Sequence, residues 1–151
     1  MSAAHIHLLL NHIPILGSIF GLLVLGYGML RKSDEIQKTS LGVFVITALL
    51  TIPVYLTGDG AAEIVSNLPG VSTAIIQQHD NAATITLIAI EILGAVSLLG
   101  LLLSWCSRRE LRNWMTLGVL ILAMISSGLG AWTGSIGGQI RHTEVRAGFA
   151  K

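Results

Sequence analysis

The chain carries five histidines, three of them in its first twelve residues, MSAAHIHLLLNH, as His5, His7 and His12. His79 follows in QQHDNAA and His142 in GGQIRHTEVR. Neutral imidazole is the commonest side-chain metal ligand and also binds haem iron. On a helix that begins early, His5 and His12 share a face, being seven residues apart. His7 and His12 are five apart, about 140° around the axis, so they serve two sites or flank one large planar group rather than one small ion. Carboxylates stand close by. Asp59 and Glu63 in GDGAAEIVSN, and Asp80 beside His79, can orient an imidazole through its second nitrogen.

These side chains need rigid elements, and the composition says which kind. Of 151 residues, 52% are hydrophobic and only 11% charged, against about 25% charged in a soluble domain. Apolar runs extend from His12 to Met29, Leu41 to Leu56, Ala82 to Cys106 and Trp114 to Trp132. A membrane-crossing helix takes roughly 17–25 residues. The expected architecture is an all-α integral membrane four-helix bundle in one domain, with helices over about 5–30, 40–58, 73–106 and 113–134. Ser72 is a reasonable N-cap for the third helix, whose first turns bring His79 to the membrane boundary beside the first helix. The loop over 57–81 holds a short amphipathic helix. No Lys or Arg precedes the first apolar run, so it reads as a retained membrane helix rather than a leader. The lone Cys106 excludes an internal disulfide and a cysteine metal cluster.

The connection after the first helix, RKSDEIQK, holds Arg31, Lys32 and Lys38, and that after the third, CSRRELR, holds Arg108, Arg109 and Arg112. Neither the N-terminus nor the 57–81 loop has Lys or Arg, so both termini are expected in the periplasm of a bacterial inner membrane. Arg141, Arg146 and Lys151 in the tail run against this orientation. Trp105 and Trp114 at the inner face, and Tyr55 and Trp132 at the outer, fit interfacial aromatic belts. All five histidines then fall at the outer end.

Two segments match at one offset: LGVFVITALLTIPVYLTGDGAAEI from Leu41 and LGVLILAMISSGLGAWTGSIGGQI from Leu117. Thr57-Gly58 answers Thr133-Gly134, and Ile64 answers Ile140. The chain reads as two tandem helical hairpins in parallel orientation, which tends to place a shared site between the halves. Gly17, Gly21, Ser127, Gly128, Gly130 and Gly134 let helices approach closely, or leave room for a flat cofactor. The Gly137-Gly138 pair, past the fourth helix, is expected to let the tail and His142 fold back over the outer opening. Glu91 lies midway along the third helix, where an ionised, unpaired carboxylate costs roughly 2.5 kcal/mol or more. It is either a protonated group bonded to Thr47, Thr51, Ser126 or Ser127, or a contact for quinone, protons or another subunit.

The string H-x4-H-x-P formed by His7, His12 and Pro14 resembles the opening His…His-Phe-Pro signature of small four-helix bacterial membrane proteins grouped only as a domain of unknown function. GSIGGQIRH, around Gly137 and Gly138, is similar to the Gly-Gly element that closes that family. YLTGDGAAEIVSNLPGVSTAIIQQHD is similar to a TGE-x-AEE…LPGVS…HE pattern in a subgroup, with Glu63 and His79 matching and Asp59 standing for the usual Glu. Ile13 replaces Phe, and His5 is additional. The resemblance spans nearly the whole chain. It implies the four-helix architecture and singles out His7, His12, Glu63, His79 and His142, without naming a reaction.

Three functions compete. The first is a b-type cytochrome-like subunit carrying one or two haem b groups near the periplasmic face. His12 and His79 are its first axial pair, and His7 with His142 form a second site. Its partners are the bilayer, other membrane subunits or a periplasmic electron carrier, and quinone. The second is a non-haem copper, zinc or iron site built from His5, His7, His79, Asp80, His142 and Glu63. The third is a cofactor-free accessory subunit, whose histidines bond headgroups or loop carbonyls. No nucleophile with an acid–base pair is recognisable, so a stand-alone enzyme is not expected, and nothing favours nucleic acid.

Overall fold

The computed structural model describes residues 2–104, 109–142 and 145, with side chains for all of these except 109–113. Trp105, Cys106, Arg108, Arg146 and Lys151, and the side chains of Arg109 and Arg112, lie outside the described residues. Among the described residues the regular structure is all helical: α1 (Ala3–Leu10), α2 (Ile13–Leu30), α3 (Asp34–Leu56), α4 (Gly58–Ser66), α5 (Thr73–Leu103) and α6 (Arg109–Arg141). Among the described residues, four stretches are long and apolar enough to cross a membrane: Ala3–Leu30, Asp34–Ser66, Thr73–Leu103 and Trp114–Arg141.

Local chemistry sets the element ends. The turn between α2 and α3 takes three residues, Arg31 to Ser33. Lys32 adopts φ 50°, the Lys32 amide donates to the Met29 carbonyl and the Ser33 amide to the Gly28 carbonyl, which together make a Schellman stop. Ser33 then caps α3, its hydroxyl accepting from the Ile36 amide, with Asp34 and Glu35 in the favourable first turn. This moves the start of α3 to Asp34, a turn and a half before the expected residue 40.

The long helices close a ring, α2 packing on α3 and α6, and α5 on α3 and α6. Its centre is Leu25, Leu41, Phe44, Leu93, Val119 and Ala123. Backbones approach through glycine. A Cβ on Gly21 would run into the Phe44 ring, and one on Gly94 into Ala48. Ser40, fully buried, donates its hydroxyl to the Gly21 carbonyl at 2.8 Å across the α2–α3 contact. Isoleucines and leucines on the outer faces, among them Leu23, Leu49, Ile88 and Ile125, stay exposed, which suits a lipid surround.

Two differences from the sequence reading matter for the site. The first helix breaks at Asn11–His12, with Pro14 opening α2 in its first turn, so the angular spacing of an unbroken helix does not relate His7 to His12. The fourth helix does not stop at Gly134. It runs through Gly137-Gly138 to Arg141, its backbone ladder unbroken, and Gly137 faces the His79 ring.

Candidate functional site

Two histidines are held in matching fashion. His7, on α1, places Nδ1 2.9 Å from the Val54 carbonyl oxygen on α3. His79, on α5, places Nδ1 3.1 Å from the Thr133 carbonyl oxygen on α6. A carbonyl only accepts, so each ring donates its proton from Nδ1 and keeps the lone pair on Nε2. That is the tautomer a metal-binding imidazole needs, with the second nitrogen fixed by a hydrogen bond.

Each carbonyl belongs to a helix, where it is normally hidden beside the side chain one turn ahead, because Cβ atoms lean toward the N-terminus. In both cases the residue four positions ahead is glycine: Gly58 after Val54 and Gly137 after Thr133. A Cβ on Gly137 would sit 2.9 Å from His79 Cε1 and 3.2 Å from Nδ1. One on Gly58 would sit 3.8 Å from His7 Cε1 and 4.0 Å from Nδ1. The His79 ring therefore rests in a tight notch within α6 at Gly137, and the His7 ring in a looser one at the α3–α4 junction beside Gly58.

The notches open on a cavity of about 600 Å³ at the histidine end of the bundle, within the usual range for small-molecule sites. His7, His12, His79 and His142 all line it, along with Ile15, Val54, Ile76, Leu87 and the glycine face of α6. Asp59, Asp80 and Arg141 add charge to the lining. His7 and His79 are near enough to act on one another electrostatically, and Asp80 acts on His79 as well. The Thr86 and Thr133 hydroxyls, 2.8 Å apart, satisfy each other at the wall, and the Tyr55 hydroxyl bonds Thr84 at 2.9 Å. Tyr55 thus serves the cavity wall as well as its end of the bundle.

Of the remaining candidates, His12 and His142 belong to the cavity lining, and His5, Glu63 and Glu91 lie outside it. His12 is exposed at the α1–α2 break. His142 follows α6, its amide donating to the Gly138 carbonyl at 3.0 Å. His5 turns to the start of α1, its Nδ1 2.7 Å from the Ser2 hydroxyl. Glu63 is exposed on α4 and outside the cavity lining; carbonyls, rather than Asp59 or Glu63, orient the two rings. Glu91 makes none of the expected side-chain bonds. Its Oε1 is buried without a partner, the Ser126 and Ser127 hydroxyls are likewise unpartnered, and Thr47 and Thr51 donate to Val43 and Thr47 carbonyls. Among the described residues, no three His, Cys, Asp or Glu side chains converge as a metal site.

The docking carbonyls and their glycines escaped sequence reading. The Thr57-Gly58/Thr133-Gly134 match came near them, but the glycine that admits His79 is Gly137, three residues beyond Gly134. No family model, curated protein or solved structure matches this chain.

Proposed function

We propose that the cavity holds one haem b between α1 and α5, with Nε2 of His7 and of His79 as axial donors, and that the chain carries single electrons in a bacterial inner membrane. The observation that supports this reading is the matched pair of imidazoles, each locked by a carbonyl in the tautomer that leaves Nε2 free. Two protein donors suffice for haem, whose porphyrin supplies the equatorial nitrogens, whereas a structural zinc site takes four protein ligands and a catalytic one three. A large, mainly apolar slot with charged residues in its lining also suits an amphipathic macrocycle.

Haem, when bound, supplies the one-electron couple. The chain's own residues hold and shield it. The carbonyls of Val54 and Thr133 fix the ring planes, and Ile15, Val54 and Leu87 exclude water from the slot. This pairing differs from the His12–His79 pair favoured by sequence and leaves His12 and His142 to the rest of the cavity lining. Two parallel hairpins, with α4 as the amphipathic element between them, account for one notch in each half of the chain. The basic end then faces the cytoplasm, and a periplasmic carrier or a neighbouring membrane subunit exchanges electrons at the histidine end.

The test is a reduced-minus-oxidised spectrum of the purified membrane protein. Soret and α bands that vanish in both His7→Ala and His79→Ala support the reading. Bands that survive in both variants, or a wild-type protein free of haem after expression with ample haem supply, defeat it.

A further inference from the structure

The two notches match in chemistry but not in anchorage. His79 is carried by α5, a 31-residue helix that buries Ala82, Thr86, Ile90, Leu93, Gly94 and Ser97 in the bundle. Its ring is pinned against Gly137, where even a methyl group would not fit. His7 is carried by α1, eight residues long, with no buried residue of its own. α1 packs chiefly on α4, another helix without a buried residue, and Ala3 meets Gly60 at their crossing.

The join from α1 to α2 is a two-residue break. Asn11 there has a buried Oδ1 without a partner, so the break is not tied down by its own side chain. What holds the His7 ring in its notch is one hydrogen bond to Val54, in a gap loose enough to take a Cβ.

We infer that the two histidines hold the group unequally: α1 can lift about the Asn11–His12 break and withdraw the His7 ring from its notch, which would leave that side of a bound haem open to a small exogenous lone-pair donor, while His79 would stay in place against Gly137. This rests on the haem reading above. The exchange is a ligand substitution, in which one iron–nitrogen bond breaks and one bond to the incoming donor forms, with no electron transferred. It adds a ligand-binding activity to an electron carrier and assigns the two axial histidines different roles, one fixed and one exchangeable.

The cyanide ion is a suitable probe, added to the oxidised, haem-loaded full-length protein and followed by the Soret shift. Ala3→Cys with Gly60→Cys, in a Cys106→Ser background, cross-links α1 to α4. The Ala3 Cβ lies 2.8 Å from the position of a Gly60 Cβ, so a disulfide, which needs about 3.5–4.5 Å, requires only a slight opening. Cyanide binding is expected to slow at least tenfold in the cross-linked protein relative to the Ala3→Ser, Gly60→Ser control. Equal rates in the cross-linked and control proteins overturn the inference. That result leaves haem binding itself intact, whereas a wild-type protein that takes up no haem refutes the underlying reading and this inference with it.

Discussion

Gly137→Ala tests the notch most directly. The added methyl carbon would stand 2.9 Å from His79 Cε1 and 3.2 Å from Nδ1, whereas nonbonded carbons settle at about 3.5–4.0 Å. The ring must retreat by about 0.6 Å or more, which stretches the 3.1 Å bond from Nδ1 to the Thr133 carbonyl beyond hydrogen-bonding range. Losing that bond costs about 0.5–1.5 kcal/mol. Replacing a helical glycine by alanine returns about 0.8–1.0 kcal/mol through propensity. The two nearly cancel, so the thermal midpoint in detergent is expected to hold while the site changes. Gly58→Ala is the control, because its Cβ meets His7 at 3.8 Å, an ordinary contact, and only the propensity gain remains. The assay is the imidazole Nδ1–H resonance by NMR of the apoprotein, joined by haem affinity. The His79 signal should broaden into exchange with water in Gly137→Ala, with weaker haem binding, and the His7 signal should persist in Gly58→Ala. An unchanged His79 resonance and unchanged haem affinity in Gly137→Ala would refute the notch as the device that places the ring.

Three further outcomes follow from the fold. Lys32→Gly should raise the thermal midpoint, since a non-glycine residue at φ 50° costs about 1–2 kcal/mol that glycine does not incur. Gly94→Val should disrupt the α3–α5 contact, because its Cβ already collides with Ala48; loss of the monodisperse folded species on size-exclusion chromatography checks it. Glu91→Leu should stabilise the protein by about 1–3 kcal/mol, as it removes a buried carboxyl oxygen without a partner; a fall in the unfolding midpoint would instead assign Glu91 a binding role.

Much of this architecture was legible in the sequence because membrane helices announce themselves by length and apolarity alone. The positions of His7 and His79 near one end followed from the same segmentation. Helix ends were less legible. Ser33 with Asp34 and Glu35 is a capping signature, yet it lies in a charged connection where the apolar run has not begun, so hydropathy placed the start of α3 too late. Gly137-Gly138 misled in the opposite direction. Paired glycines loosen a helix in water, but here Gly137 sits inside α6 and faces an imidazole.

The deeper obstacle is that the site is assembled from backbone carbonyls, which every residue has. What distinguishes Thr133 is the absence of a side chain four residues later in the same helix, and Val54 lies in the last turn of α3 with Gly58 just past its end; absence is read only when the ring that fills it is known. The two matching sequence segments sharpen the point. By sequence, Thr133 answers Thr57, an offset of 76; by imidazole docking, Thr133 answers Val54, an offset of 79. The three-residue slip is close to one helical turn, so the two docking carbonyls lie on nearly the same face but at different heights on their helices. His7 therefore reaches its carbonyl from a separate short helix beyond the Asn11–His12 break, whereas His79 reaches its own from within an unbroken α5. The broken first helix thus brings His7 to the same cavity that His79 lines from an unbroken α5.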